Sequence, residues 1–196
     1  VWLLEDGSVV ATSPMSRLRM AVLLVNSDLY TTGLSGIDTH EPPEVIAALD
    51  GAVYTLRGFP DSTKEKLLLT VMSRYIERRA LEVGDGRLDV AFQQLSRLND
   101  EYGTKTVYDR LARTDVDVHV YGVPDDPPSD IDGLTVHSGR TPRYQRSWFV
   151  VFTPDGDDAE PAALVAVEMG DNIWRSRWTY DPERVETIQR EIVTRF

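Results

Sequence analysis

Apolar and polar positions alternate in several short runs of this chain and recur at helical spacing in others. Val1–Leu4 and Ser8–Thr12 flank Asp6-Gly7, a pattern that predicts a β-hairpin. Ser13 followed by Pro14 predicts a capped helix running to about Leu24. Asn26–Pro43 reads as a loop, Glu44–Leu49 as a short helix ended by Asp50-Gly51, and Ala52–Arg57 as a strand. Ser62-Thr63-Lys64-Glu65 is a capping box, in which the serine and glutamate side chains satisfy each other's orphan backbone donors. The helix it opens runs to Val83, with Gly84 as its stop and Leu69, Met72, Ile76, Ala80 and Val83 as its buried stripe.

The second half is richer in strands. Leu88–Gln93 is one, followed by a helical turn after Ser96 and a helix over Thr104–Ala112. In Val116–Tyr121 the valines face one way, while Asp117, His119 and Tyr121 face the other. Val123–Gly133, with three prolines and four aspartates, predicts an exposed loop before a short strand at Leu134–His137. Trp148–Thr153, Ala162–Glu168 and Trp174–Thr179 are joined by short polar turns and predict an antiparallel meander. Asp181-Pro182 opens a last helix whose apolar side is Val185, Ile188 and Ile192. The expectation is an α+β fold: one central mixed sheet flanked by helices, with a C-terminal antiparallel meander and closing helix. That order is loosely similar to small-molecule sensor domains of the GAF type. One domain over residues 1–196 is expected, with 1–50 as a hairpin-and-helix extension and 52–196 as the core. The opening at Val1 predicts that an upstream segment is missing.

Composition narrows the functions. The 196 residues carry a formal net charge of −11. Such acidity argues against direct nucleic-acid binding, which needs clustered positive charge. Only three of the 21 basic residues are lysines, Lys64, Lys66 and Lys105, and aspartate supplies 20 of the 32 acids. This resembles proteins of salt-loving archaea, in which high salt screens the self-repulsion of an acidic surface. The absence of cysteine removes thiolate catalysis, disulfides and zinc-finger sites. The longest apolar runs, Met20–Val25 and Ala162–Val167, fall far short of the roughly 20 residues that span a bilayer. A cytoplasmic protein without a membrane span is expected.

Candidate chemistry is sparse. Gly84-Asp85-Gly86 lacks the third glycine of a dinucleotide loop and follows a helix, and Asp130-Ile131-Asp132-Gly133 fails as a calcium loop. Asp115, Asp117 and His119 share a strand face at a spacing of two, which suits a solvated or partly covered polar face, or else a metal or acid–base site. No metal ligand set has recognised spacing. Trp148, Trp174, Trp178 and Tyr180 gather on the meander, where they form either core or a face that stacks a flat ligand. Glu168, Arg175 and Arg177 beside them are the polar groups of that pocket or a cross-strand ion pair. Arg140, Arg143 and Arg146 read as a solvated basic loop, with docking to an acidic partner as the alternative.

The ordered set of these segments resembles a known family. Phe92-Gln93 ends a strand, His119-Val120-Tyr121-Gly122 follows a helix, and Trp148-Phe149-Val150-Val151 precedes Ala163-Leu164-Val165-Ala166 and Glu168. Trp178-Thr179-Tyr180-Asp181 and a helix close the set. This is similar to the DICT domain, a sensory domain found with diguanylate cyclases and two-component systems, over roughly Leu67 to Ile192. Ser73-Arg74-Tyr75-Ile76-Glu77 and Asn26-Ser27-Asp28-Leu29-Tyr30 resemble stretches of its haloarchaeal version. The resemblance implies a non-enzymatic signal-input domain of a haloarchaeal regulatory protein, with a part in light responses. It implies a signalling protein partner or a homodimer, and it carries over no known ligand or cofactor. Residues 52–196 would be the DICT-like core. A ligand-free protein–protein interaction module, or an enzyme using the Asp117/His119 strand face, are the alternatives.

Overall fold

The computed structural model describes residues 1–19, 41–57, 65–99, 103–126, 132–156 and 158–196. Strands β1 (Trp2–Glu5) and β2 (Ser8–Thr12) form the expected hairpin, with Asp6 and Gly7 both at positive φ in its turn. It stands as its own two-stranded sheet. A short helix α1 (Met15–Leu18) follows, but Ser13 does not cap it. The Ser13 hydroxyl instead accepts the Val45 N–H at 3.1 Å and ties the hairpin to α2 (Glu44–Ala47). The expected extension to Leu24 and the loop that follows fall mostly outside the described residues, as do residues 62–64 of the capping box.

The second sheet has seven strands in the order β3-β9-β8-β7-β4-β5-β6. They are β3 (Val53–Arg57), β4 (Arg87–Gln94), β5 (Asp117–Val123), β6 (Leu134–Ser138), β7 (Ser147–Thr153), β8 (Ala162–Gly170) and β9 (Ile173–Thr179). The β4/β5 and β5/β6 pairs are parallel, and the other four pairs are antiparallel. The sheet is therefore mixed, and the last three strands in the chain are the expected meander. Parallel neighbours need a crossover rather than a tight turn. Between β4 and β5 that crossover is a 3₁₀ turn over Leu95–Asn99 and helix α4 (Thr104–Leu111).

Helices cover both faces. Helix α3 (Glu65–Val83) lays Leu69, Met72, Ile76 and Ala80, all fully buried, against Leu88, Val90, Val150, Phe152 and Leu164, and α4 adds Val107, Tyr108 and Leu111 to the same core. Val83 is 37% exposed and leaves the expected stripe, because it is the last residue before the chain turns away at Gly84, φ +79°. Gly86, φ +92°, lets the chain enter β4 against the Thr153 carbonyl, a contact that any Cβ would obstruct. The opposite face is a second core. Ala91, Tyr121, Phe149, Val151 and Ala163 meet Tyr144 of helix α5 (Pro142–Arg146) and Val185 and Ile192 of helix α6 (Pro182–Arg195).

Helix α5 corrects the reading of Arg140–Arg146 as a loop. Pro142 stands in its first turn, and Tyr144 is drawn into the second core. Arg143 and Tyr144 both donate to the end of α6, at the Arg195 and Phe196 carbonyls. Asp181 caps α6 as expected, its Oδ1 accepting the N–H groups of Glu183 and Arg184 at 3.1 and 3.3 Å. Asp181→Ala is expected to cost about 1 kcal/mol, read as a lower urea midpoint at unchanged slope.

Candidate functional site

The seven residues singled out on the meander do not form one surface. On β9 side chains alternate, so Trp174, Ser176 and Trp178 point under α3 and are buried, while Arg175 and Arg177 are exposed on the other face. Trp174 and Trp178 belong to the α3-side core, and Trp148 and Tyr180 are partly buried against it. Trp148 meets Trp174 edge to face at 6.0 Å and donates its indole N–H to Ser73 Oγ of α3 at 3.0 Å. Glu168 accepts from Gln93 Nε2 at 2.9 Å, and Arg177 Nε donates to the Gly51 carbonyl at 2.9 Å. Among the described residues no ion pair joins Glu168 to either arginine.

The aromatic corner extends to β3. Tyr54 lies opposite Ser176 in the ladder and stacks on the Trp178 ring, with centroids 4.5 Å apart and planes 10° apart. Lys66 at the start of α3 places its ammonium 5.6 Å from the Trp174 ring. The indole N–H groups of Trp174 and Trp178 and the hydroxyls of Ser176, Tyr54 and Tyr180 are all buried without a hydrogen-bond partner. Buried polar groups are nearly always paired, because losing water without a replacement costs about 1–3 kcal/mol per group. Here five such groups fall on two neighbouring strands and the residue just after β9, and every one of them can donate. Burial raises the Tyr180 hydroxyl pKa well above its ordinary value, and burial likewise raises that of Tyr54.

A cleft of about 600 Å³ lies beside this corner, between α2, the C-terminal half of α3 and the β7–β8 connection. Its wall includes Tyr75, Arg78, Arg79, Glu82 and Glu160. Arg79 lies against both the Tyr75 and Tyr180 rings, at 5.8 and 5.6 Å, so the cleft wall touches Tyr180 through Arg79, while neither Tyr180 nor the tryptophans line the cleft. Deeper on the α3 side, the Glu77 carboxylate is buried, accepting from Arg74 at 2.6 Å and from the Tyr108 hydroxyl at 2.8 Å. Burial, with the Glu77 charge beside it, drives the Tyr108 pKa well up.

The polar face of β5 carries a second cluster. Asp115 lies exposed ahead of the strand, so only Asp117 and His119 of the expected set share it. His119 Nε2 is 2.9 Å from Asp117 Oδ2, and its Nδ1 is 2.9 Å from Nε2 of His137 on β6. Both ring nitrogens are thus engaged within the chain, and neither is directed at a substrate. Among the described residues no group of His, Asp and Glu could hold a metal ion. Sequence spacing could not show His137, because its place comes from the β5/β6 register. Beneath it Asp89 is fully buried, held by Arg87 through two hydrogen bonds of 2.9 and 2.7 Å, by the Tyr121 hydroxyl at 2.8 Å and by Gln189 of α6 at 3.4 Å. Its one sequence signal was an aspartate set between Leu88 and Val90. The hydrogen bond to Asp89 raises the Arg87 pKa, and burial raises that of Tyr121.

Among known families, the model described as "Sensory domain in DIguanylate Cyclases and Two-component system" (DICT) matches residues 43–168. That span runs from α2 into β8 and stops before Trp174, Trp178 and Tyr180. No curated protein matches the chain. Among solved structures, the polyphosphate kinase from Porphyromonas gingivalis is similar over 93% of this chain and 31% of that one, at 13% identity and a TM-score of 0.45. The chain therefore spans less than a third of that protein. Among the described residues, no helix is long and apolar enough to cross a membrane.

Proposed function

Because the chain belongs to the DICT family of sensory domains, we propose that it is a non-catalytic signal-input domain in which a small ligand at the aromatic corner shifts α6 and so changes affinity for a signalling partner. The supporting observation is the set of five buried, unpaired groups on β3, β9 and Tyr180. A flat ligand bearing several hydrogen-bond acceptors would satisfy these donors and stack against Tyr54 and the tryptophans. Helix α6 begins three residues after β9 ends, so a displacement of Trp178 and Tyr180 reaches its cap at Asp181 through very little chain.

The test is native mass spectrometry with an absorption spectrum, on protein purified from its own cytoplasm. A bound small molecule is expected in the wild type and is lost in Trp178→Phe, which keeps an aromatic ring but removes the indole donor. A chromophore in the visible range would add the light-response role. A wild type that is ligand-free, neither gaining nor losing mass on denaturation, overturns the reading in favour of an interaction module.

The acid-rich, lysine-poor composition supports a haloarchaeal origin and a high-salt cytoplasm. Screening length falls from about 10 Å at 0.1 M salt to about 3 Å at 1 M. The melting temperature is therefore expected to rise between 0.1 and 2 M KCl. A flat or falling curve would count against the halophilic setting.

A further inference from the structure

The cluster on β5 and β6 takes no part in the proposed ligand site, which lies near the opposite edge of the sheet and under the other face. Its geometry defines one hydrogen-bonded line. The His119 and His137 rings are 16° from parallel with centroids 5.2 Å apart, while the facing nitrogens are 2.9 Å apart. A ring nitrogen lies about 1.1 Å from its own centroid, so both nitrogens fall almost on the line between centroids. The rings therefore lie side by side in nearly one plane, joined by a straight N–H···N bond. One proton occupies that bond, and one nitrogen must accept.

Asp117 settles which. A carboxylate at 2.9 Å requires a proton on His119 Nε2. In neutral His119 the Nδ1 is then the acceptor, and His137 Nε2–H is the donor. An added proton on His137 Nδ1 leaves the link intact. A proton added to His119 as well does not, because two N–H groups would then face each other at 2.9 Å. Burial, followed by the neighbouring His119 and opposed by Asp89, holds the His137 pKa below its ordinary value.

The link is wired to α6. The His137 ring stacks on Tyr121, centroids 4.4 Å apart and planes 9° apart. Tyr121 meets the Phe196 ring edge to face at 5.6 Å and donates to Asp89, which also accepts from Gln189 of α6. Among the described residues, the charged and titratable groups facing the pair are Arg87 and Asp89 from β4 and Asp117 and Tyr121 from β5, with Arg87 4.0 Å from Asp117. From α6 comes only the neutral Gln189, and α5 reaches the end of α6 with Arg143, over the Phe196 ring. His137 sits on β6, which among the described residues is an edge strand paired only with β5.

We propose that this edge is a second input of the domain whose ligand is the proton: the His119–His137 link holds β6 and the end of α6 closed, and full protonation of the pair releases them. The sign follows from linkage. The closed form has room for one proton between the facing nitrogens and the open form for two, so opening takes up a proton and the closed form loses ground as pH falls. The burial that holds His137 below its ordinary pKa acts in the same direction. The conflict between two N–H groups acts at contact distance, so molar salt does not screen it.

The test is imidazole nitrogen NMR and amide hydrogen exchange between pH 7.5 and 5.0, corrected for intrinsic rates. At pH 7.5 both histidines are expected as Nε2–H tautomers. Protection of the β6 amides is expected to fall about tenfold or more on acidification. His137→Gln, which keeps a donor but does not titrate, should abolish that pH dependence. His119→Gln serves as a second variant if the first fails to fold. Protection that does not change with pH in the wild type, a His119 carrying its proton on Nδ1, or the same pH dependence in both variants would overturn the proposal.

Discussion

Replacing Arg87 by leucine is expected to destabilise the fold by about 3 kcal/mol, measured as a lower free energy of urea unfolding. Asp89 is fully buried and receives two hydrogen bonds from the Arg87 guanidinium, one from the Tyr121 hydroxyl and one from the Gln189 amide. Removing the cation leaves a buried carboxylate with two neutral donors. Breaking a buried pair in this way costs roughly 3–5 kcal/mol, and the lower end applies because the Arg87 side chain is 27% exposed. The loss should be largely reversed in the double variant Arg87→Leu/Asp89→Leu, in which no charge is stranded. A single variant that loses less than about 1 kcal/mol, or a double variant no better than the single, would show that Asp89 does not depend on Arg87.

Trp178→Ala is expected to cost about 3–5 kcal/mol. Its indole is 1% exposed, stacks on Tyr54 and lies opposite Leu164 in the neighbouring strand. Truncation removes one of the two tryptophans that β9 packs between β8 and β3 and leaves a cavity that these strands cannot close. The melting temperature should drop by on the order of 10 °C. Trp178→Phe should lose much less stability, since a ring still fills most of the space and still stacks. Comparing the two separates packing from recognition. A phenylalanine variant that is as stable as the wild type but no longer retains ligand assigns the indole N–H to binding. A phenylalanine variant that retains ligand confines Trp178 to the core.

Much of the architecture was legible because it is local. The β1–β2 hairpin follows from Asp6-Gly7, the end of α3 from Gly84, the α6 cap from Asp181 and the meander from three alternating runs joined by short turns. Each of these depends on residues a few positions apart, where backbone sterics and side-chain period dominate. Local rules also misled. Ser13 precedes a proline as helix caps do, yet its hydroxyl serves Val45, 32 residues away. Arg140–Arg146 looked like solvated chain, yet Tyr144 folds into the second core and draws residues 142–146 into a helix.

Which side chains share a strand face follows from the order of residues: Asp117 with His119 and Tyr121, Trp174 with Trp178, Arg175 with Arg177. The period of two allows nothing else once a strand is granted. What each face meets depends on the assembled fold. The pairing of β3 with β9 brought Tyr54 onto Trp178, 124 residues away in the chain, and the parallel register of β5 and β6 brought His137 to His119. Register across strands is selected by the whole set of buried contacts at once, and a one-residue slip would turn every side chain of a strand to the other face. No local pattern carries that information, which is why the polar groups most open to a functional reading, the unpaired donors of β3 and β9 and the histidine pair, emerge only when the sheet is assembled.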